Sequence, residues 1–342
     1  QRLAVETTEG PVLVVAGPGS GKTELLSLRT GNILKQGQVS PHNILCLTFT
    51  DNGALNMRER LSALIGQDAY RVSIFTFHAF CNHIIARYPE YFWSATNFSQ
   101  VNNVTRAEIL ESLFKSLPHG HPLASRNPEK GFVYLKNVVE RIKHIKSFGL
   151  TADEYIEAIS MFPKEYGAIH KILAEWPERL STKKLESVED ILSKLDTLNG
   201  EMGIYLAKTL RQALIATEAL GKTEPLAVWK SKYTVKGDNG LILKDAHNQE
   251  KIDAVADMYK RYSEEMYRRA LYDFDDMIIE VVHALKTETI LRNELEEQYQ
   301  YIMVDEFQDT NEAQMSLVRA ISSHPVHEGH PNVCVVGDDD QA

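Results

Sequence analysis

Cysteine is scarce, with Cys46, Cys81 and Cys334 the only three in 342 residues. An odd number, widely spaced and without a C-x-x-C pair, excludes a disulfide framework and gives no zinc or iron–sulfur signature. Long apolar runs are missing as well. Stretches such as residues 12–16 and 302–304 have strand length, far short of the ~18 residues of a membrane span, and no signal-like segment stands near the start. Positive charge is in the minority, 37 Lys and Arg against 47 Asp and Glu, a formal net charge of −10. That excludes a whole-surface electrostatic grip on nucleic acid or an anionic membrane, while leaving room for a local basic groove. With 43% hydrophobic and 25% charged residues, the collagenous, disordered and low-complexity classes are excluded too. These absences predict a cytoplasmic protein of about two domains, with reduced, buried thiols and no membrane partner.

What is present changes texture along the chain. Residues 11–16 (PVLVVA), 43–49 (NILCLTF) and 71–76 (RVSIFT) read as strands, the first as a strand buried on both faces. Helix-spaced stretches follow each of them, at 24–35, at 54–65 and in a segment ending before Pro89. Strands alternating with helices at this spacing predict a parallel sheet of βαβ units. Past residue 95 the patterns are helical, at 104–117, 134–146, 152–161, 165–176, 186–198, 203–220 and 251–267, with prolines such as Pro163 between them. Residues 232–239 read as a Gly/Lys/Asp-rich loop, and strand texture returns at 300–304 and 332–336. The predicted organisation is α/β: one sheet domain at 1–95 and 266–342, interrupted by a mostly helical inserted domain at 96–265. Trp93, Trp176 and Trp229 are expected in cores or at domain junctions.

Ala16-Gly17-Pro18-Gly19-Ser20-Gly21-Lys22-Thr23 directly follows the first strand and opens a helix. Glycines let the backbone curl so that successive N–H groups point at one anion, and the helix N-terminus adds partial positive charge. Lys22 can then reach the β- and γ-phosphates of a nucleotide, and the Thr23 hydroxyl can ligate Mg²⁺. A second strand, residues 301–304, ends at Asp305-Glu306, where ligands of open α/β sheets bind. Asp305 is predicted to share Mg²⁺ with Thr23, and Glu306 to polarise an attacking water.

Read with the phosphate loop, Asp305-Glu306-Phe307-Gln308-Asp309-Thr310-Asn311 resembles the UvrD/Rep family of superfamily 1 DNA helicases. Further elements follow in the family's order. Gln1-Arg2-Leu3-Ala4-Val5 resembles the end of its adenine-reading motif, which makes Gln1 the base-recognising amide. Thr48-Phe49-Thr50-Asp51-Asn52 resembles motif Ia, and Thr76-Phe77-His78 resembles motif Ib. Residues 272–277 resemble the Asp-rich element before motif II. Gly337-Asp338-Asp339-Asp340-Gln341 resembles motif III, whose Gln341 would contact the γ-phosphate and couple it to DNA. This form of motif III, together with Asn311, leans towards UvrD, Rep and PcrA rather than RecB-type or AddA-type helicase–nuclease subunits.

The resemblance implies a RecA-like P-loop NTPase domain (1A) carrying a helical insertion (1B). Its implied function is ATP-dependent, 3′-to-5′ movement on single-stranded DNA, with Lys22, Glu306 and Gln341 catalytic. ATP would lie on Gln1, Gly17, Pro18, Gly19, Ser20, Gly21, Lys22, Thr23 and Glu24. Glu24 departs from the family, where an arginine after Gly-Lys-Thr often packs on the adenine. Phe49 is the candidate base-stacking side chain, with Thr48, Thr50, Asn52, Thr76 and His78 set to hold phosphates or sugars. In the insertion, Lys136, Arg141, Lys143, His144 and Lys146 form a basic stretch, and Arg141, Lys143 and Lys146 are predicted to contact DNA phosphates.

Expected partners are single-stranded DNA, single-strand/duplex junctions, and repair or replication proteins. A C-terminal second RecA-like domain, which supplies arginine fingers in the family, is a further expected partner, so this chain alone is expected to have very low activity. Two rivals keep the phosphate loop but lose the motor: a DNA-binding scaffold with a relic loop, and a small-molecule kinase. The intact Lys22, Thr23, Asp305, Glu306 and Gln341 weigh against the scaffold. Residues 305–311 and 337–341 have no role in the kinase.

Overall fold

The computed structural model describes all residues except 18, 38, 96, 130, 178, 182–184, 239, 324–328 and 339–342. Asp339, Asp340 and Gln341, like Pro18, therefore lie outside the described residues. The chain divides into two compact units. One comprises Gln1–Ile109, Val139–Thr151 and Ser263–Ala342, the other Leu110–Val138 and Ala152–Tyr262. This division differs from boundaries at 95/96 and 265/266 in giving residues 96–109, 139–151 and 263–265 to the α/β unit.

The first unit is built on five parallel strands, β1 (Val12–Val15), β2 (Ile44–Thr48), β3 (Ser73–Thr76), β4 (Tyr301–Val304) and β5 (Val333–Gly337). Their order across the sheet is β1-β5-β4-β2-β3. Side chains alternate between faces with period two. Ile44, Cys46, Tyr301, Met303, Cys334 and Val336 pack with Leu25, Leu26, Ile33, Met57 and Leu61 on one face. Those partners come from helices α2 (Lys22–Lys35) and α3 (Asp51–Ile65), and α1 (Arg2–Glu6) adds partly buried Ala4 and Val5 on the same face. Leu45, Leu47, Ile302 and Val304 pack on the other face with Phe80, Ile84, Met277, Val281, Leu291 and Leu317. The helices there are α4 (Phe77–Arg87), α6 (Phe274–Thr287), α7 (Thr289–Gln298) and α8 (Glu312–Ile321), while α5 (Leu135–Ser147) precedes α6 in the chain.

β2, an interior strand, is buried throughout. The first strand is not. β1 lies at the sheet edge, with Leu13 64% and Val15 55% exposed, which corrects the expectation of a strand covered on both faces. An apolar run identifies a strand but says nothing of its place in the strand order. All three cysteines are buried and free, and burial pushes the Cys46 thiol up to about 12.

The second unit is helical around Tyr166, Ile169, Leu173, Ile191, Leu210 and Leu226, with Trp176 and Trp229 stacked in that core at 5.4 Å. Trp93, in the first unit, is partly exposed against Phe98 and Tyr267. Two readings of the second unit are corrected. Residues 152–161 and 165–176 form one helix, Ala152–Leu173, running through Pro163. A proline inside a helix costs about 3 kcal/mol, but burial of Ile159, Tyr166, Ile169 and Leu173 contributes ~1.5–3 kcal/mol each and outweighs it. The expected loop at 232–239 contains one strand of an antiparallel hairpin, Thr234–Gly237 with Gly240–Leu243.

Candidate functional site

β1 delivers the chain to the phosphate loop, and α2 begins where it ends. Gly21 is the N-cap of α2 with φ 83°, left-handed backbone that a side chain would strain. The turn places Lys22 and Thr23 in the first turn of α2, at the end of the helix whose dipole favours anions. The Lys22 ammonium is nearly buried and faces oxygens from three segments. It lies 3.3 Å from the Ala16 carbonyl, 3.3 Å from Asp338 Oδ2 and 3.9 Å from Glu306 Oε2.

Thr23 donates its hydroxyl to Asp305 Oδ2 at 2.8 Å, joining the start of α2 to the end of β4. Burial pushes the Asp305 carboxyl up, against the Thr23 hydrogen bond and the charge of Lys22. A hydroxyl and a carboxylate form a hard oxygen pair, the donor set that suits Mg²⁺ when phosphates and water complete it. No group of three or more His, Cys, Asp or Glu side chains able to hold a metal occurs among the described residues. The fit extends to the Ser20 hydroxyl, whose oxygen is buried in the loop with no partner among the described residues.

Glu306 is the residue that sequence reasoning placed without seeing how it is held. Its backbone is left-handed, φ 51° and ψ 47°, a conformation costing a non-glycine residue of order 1–3 kcal/mol. Gln308 fixes the side chain that results. Its Nε2 donates to Glu306 Oε2 at 2.6 Å, while its Oε1 accepts the Asp338 N–H at 2.9 Å. One amide thus ties the turn after β4 to the end of β5. Gly337 makes room for it, because a Cβ there would meet Gln308 Oε1 at 3.0 Å. Both Gln308 and Asp338 stand inside stretches legible in the sequence. The only signal for their roles was membership of those stretches, since their contact spans 30 residues. Asn311, at the end of the same stretch, caps α8 reciprocally with Gln314.

Of the other nucleotide candidates, Gln1 donates Nε2 to the Ser20 carbonyl at 2.8 Å, which sets its amide against the loop. Gly17 and Gly19 lie in the loop between β1 and α2. Glu24 turns outward and pairs with Arg60 of α3 at 3.0 Å, both side chains half exposed. Pro18 and Gln341 lie outside the described residues.

The polynucleotide candidates sort by exposure. Thr48 and Thr76 are register partners at the carboxyl ends of β2 and β3, and both are buried. The Thr76 hydroxyl accepts from Ala79 N–H and the Thr50 hydroxyl from Gly53 N–H, so these two cap α4 and α3. Phe49, between Thr48 and Thr50 in sequence, is 50% exposed, and Asn52 is exposed at the start of α3. The His78 ring packs edge-on against Phe274, and burial lowers its pKa.

Arg141 and Lys143 are exposed on α5, but Lys146 is not, and its reading as a DNA contact is corrected. Its ammonium lies 2.8 Å from Asp273 and 2.5 Å from Asp276 at the start of α6. The reason is helical phase: four residues beyond buried Ile142, Lys146 falls about 40° from it, inside the buried stripe. Burial pushes the Asp276 carboxyl up to about 6 against the pull of Lys146. Asp273 is buried too, but Lys146 and the capping hydrogen bonds hold its carboxyl below the usual range. A cleft of about 370 Å³ belongs to the second unit, lined by Phe162, Met202, Tyr205 and Tyr233 among others, and holds none of these candidates. No helix among the described residues is long and apolar enough to cross a membrane.

Comparison with known proteins agrees with this geometry. The family model of the UvrD/REP helicase N-terminal domain matches residues 1–342. The chain is 26% identical over 342 residues to the ATP-dependent DNA helicase PcrA of Staphylococcus epidermidis strain RP62A, covering all of this chain and 33% of that protein. The same protein of Staphylococcus aureus strain Mu50 matches at 26% identity with the same coverage. The chain thus spans about a third of the length of these relatives.

Proposed function

The chain belongs to the UvrD/REP helicase family, matching its N-terminal domain along the whole length, and from that premise we propose that it is the ATP-binding part of a DNA translocase. One observation carries the reading. Lys22, Thr23, Asp305, Glu306 and Asp338, from three separate stretches of sequence, converge on the N-terminal end of one helix. In this reading the loop amides and Lys22 bind the β- and γ-phosphates of ATP. Thr23 and Asp305 hold Mg²⁺, which when bound neutralises charge developing on the transferred phosphoryl group. Glu306, aimed by Gln308, orients the attacking water and accepts its proton. Gln1 reads the adenine, and Gln341 senses the γ-phosphate.

Exposed Phe49 offers a stacking face to single-stranded DNA, with Thr50, Asn52 and His78 as further contacts and Arg141 and Lys143 for phosphates. Movement 3′-to-5′, action at single-strand/duplex junctions, a cytoplasmic setting with repair or replication partners, and the division into 1A and 1B belong to the same proposal. So does a second RecA-like domain that closes the site. An arginine finger is worth ~10³–10⁵ in rate in phosphoryl transfer, so this chain alone should bind Mg·ATP weakly, turn it over very slowly and unwind nothing. The test is ATP turnover by this chain and by the full-length protein, with and without single-stranded DNA. Strong stimulation confined to the full-length protein is expected. Turnover by this chain at the full-length rate, or no stimulation in either, would overturn the proposal.

A further inference from the structure

Helix α1 has five residues, too few to be stable alone, and only Ala4 and Val5 are partly buried against the core, so its packing is slight. It is held from α2 by two side chains one turn apart. Arg29 donates Nη1 to the carbonyls of Ala4, at 2.6 Å, and Thr7, and Nη2 to that of Thr8 at 3.0 Å. Asn32 donates Nδ2 to the Val5 carbonyl at 2.9 Å. These acceptors are carbonyls at the C-terminal end of α1 and just beyond it, where intrahelical donors run out. The Arg29 guanidinium is 1% exposed, hydrogen-bonds to carbonyls and no carboxylate, and among the described residues its Nε has no partner. Even with the Glu9 charge near it, a buried cation hydrogen-bonded to carbonyls is a costly way to fill space. What it secures is position: the helix it clamps begins at Gln1, whose amide donates to the Ser20 carbonyl of the phosphate loop.

We propose that Arg29 and Asn32 are positioning residues for base recognition, holding Gln1 at a set place against the phosphate loop and thereby setting the preference for ATP over GTP. The proposal rests on reading this loop as the ATP site. Its mechanical basis is that α2 carries both ends of the device. Lys22 and Thr23 open the helix at the phosphates, and Arg29 follows seven residues, about 10 Å, further along the same rod. Other anchors hold the later part of the segment. The Tyr301 hydroxyl donates to Glu9, and Gly10 N–H donates to Asn332 at 2.8 Å. Loss of Arg29 or Asn32 therefore frees the part bearing Gln1 without detaching the rest.

The experiment compares binding of Mg·ATP, Mg·GTP and Mg·tripolyphosphate to the chain, as wild type, Arg29→Lys and Asn32→Ala, by calorimetry. Tripolyphosphate reports the phosphate loop without a base. Losing one such hydrogen bond is expected to lower the ATP-over-GTP preference ~5-fold in Asn32→Ala, and further in Arg29→Lys. Tripolyphosphate affinity should stay within about twofold of wild type on the same principle. Asn32 is only partly buried, so its variant keeps the test open should Arg29→Lys fail to fold. An unchanged preference in Asn32→Ala, or an equal loss for all three ligands, would overturn the positioning role. A wild-type chain that ignores tripolyphosphate would instead contradict the nucleotide-site reading.

Discussion

Lys22 and Lys146 lie in the same unit, each between two carboxylates near the start of a helix. The Lys146 ammonium is 2.8 and 2.5 Å from Asp273 and Asp276, with its side chain 3% exposed. Lys22 stands 3.3 and 3.9 Å from Asp338 and Glu306, at the mouth of a glycine-rich loop, 9% exposed. Charge-assisted hydrogen bonds close at about 2.7–2.9 Å, so Lys146 has spent its donors on partners in its own fold. The Lys22 contacts are longer, and an arriving phosphate can compete for that ammonium. Two basic residues that look alike in a sequence thus divide into a closely packed ion pair and a cation with longer contacts, the one proposed to bind phosphate.

That difference should appear first in stability. Lys146→Ala leaves two buried carboxylates facing one another and should cost about 3–5 kcal/mol in urea unfolding, the range for breaking a buried pair. A loss below about 1 kcal/mol would mean that the ion pair is not the structural element described. Next comes the loop that holds the second partner of Lys22. Gln308→Ala frees the Glu306 carboxylate and should slow ATP turnover by about 10–100-fold, the range for supporting side chains, with nucleotide affinity little altered. Single-turnover phosphate release beside equilibrium binding separates the two effects, and parallel losses would refute the assigned role. Phe49→Ala should weaken single-stranded DNA binding by ~1–3 kcal/mol, while Phe49→Trp retains it. Fluorescence anisotropy with an oligonucleotide decides this, and equal affinities for all three proteins would remove Phe49 from the track.

The smallest effect is a pH dependence around Lys146. The folded Asp276 carboxyl, pushed up to about 6, binds a proton that the unfolded chain has released. Its contribution to stability therefore falls as pH rises from about 4 to 6. Asp273, whose folded carboxyl lies below the usual range, adds stability above its unfolded pKa and loses it only as pH falls through the folded value. Asp276→Asn should thus make stability rise more steeply with pH than in wild type between 4 and 6. Unfolding curves across that window test the sign, and identical slopes would contradict it.

Much of the proposed nucleotide site was legible because its chemistry is local. Strand, glycine turn, Lys22, Thr23 and helix are contiguous, and each needs a particular residue type for a backbone reason. Asp305 was readable from its place after a short apolar run. What escaped was long-range or a matter of phase. The edge position of β1 depends on strand order, and the Gln308 bridge depends on how closely two strand ends approach. Lys146 was misassigned because Arg141 and Lys143 beside it are exposed, while the stripe set by Val138, Ile142 and Ile145 claims position 146. Helix 152–173 outran its proline because packing on both sides of Pro163 outweighs one missing hydrogen bond.

The most direct test of the central claim is the melting temperature of wild type and Lys22→Ala, each with and without Mg·ATP. Binding to the folded state alone raises stability by about 2.7 kcal/mol at a ligand concentration 100 times Kd. A clear upward shift is expected for wild type and none for Lys22→Ala, each measured against the same protein's melting temperature without nucleotide, since loss of Lys22 also unpairs buried Asp338. An equal Mg·ATP shift in the two proteins would contradict it.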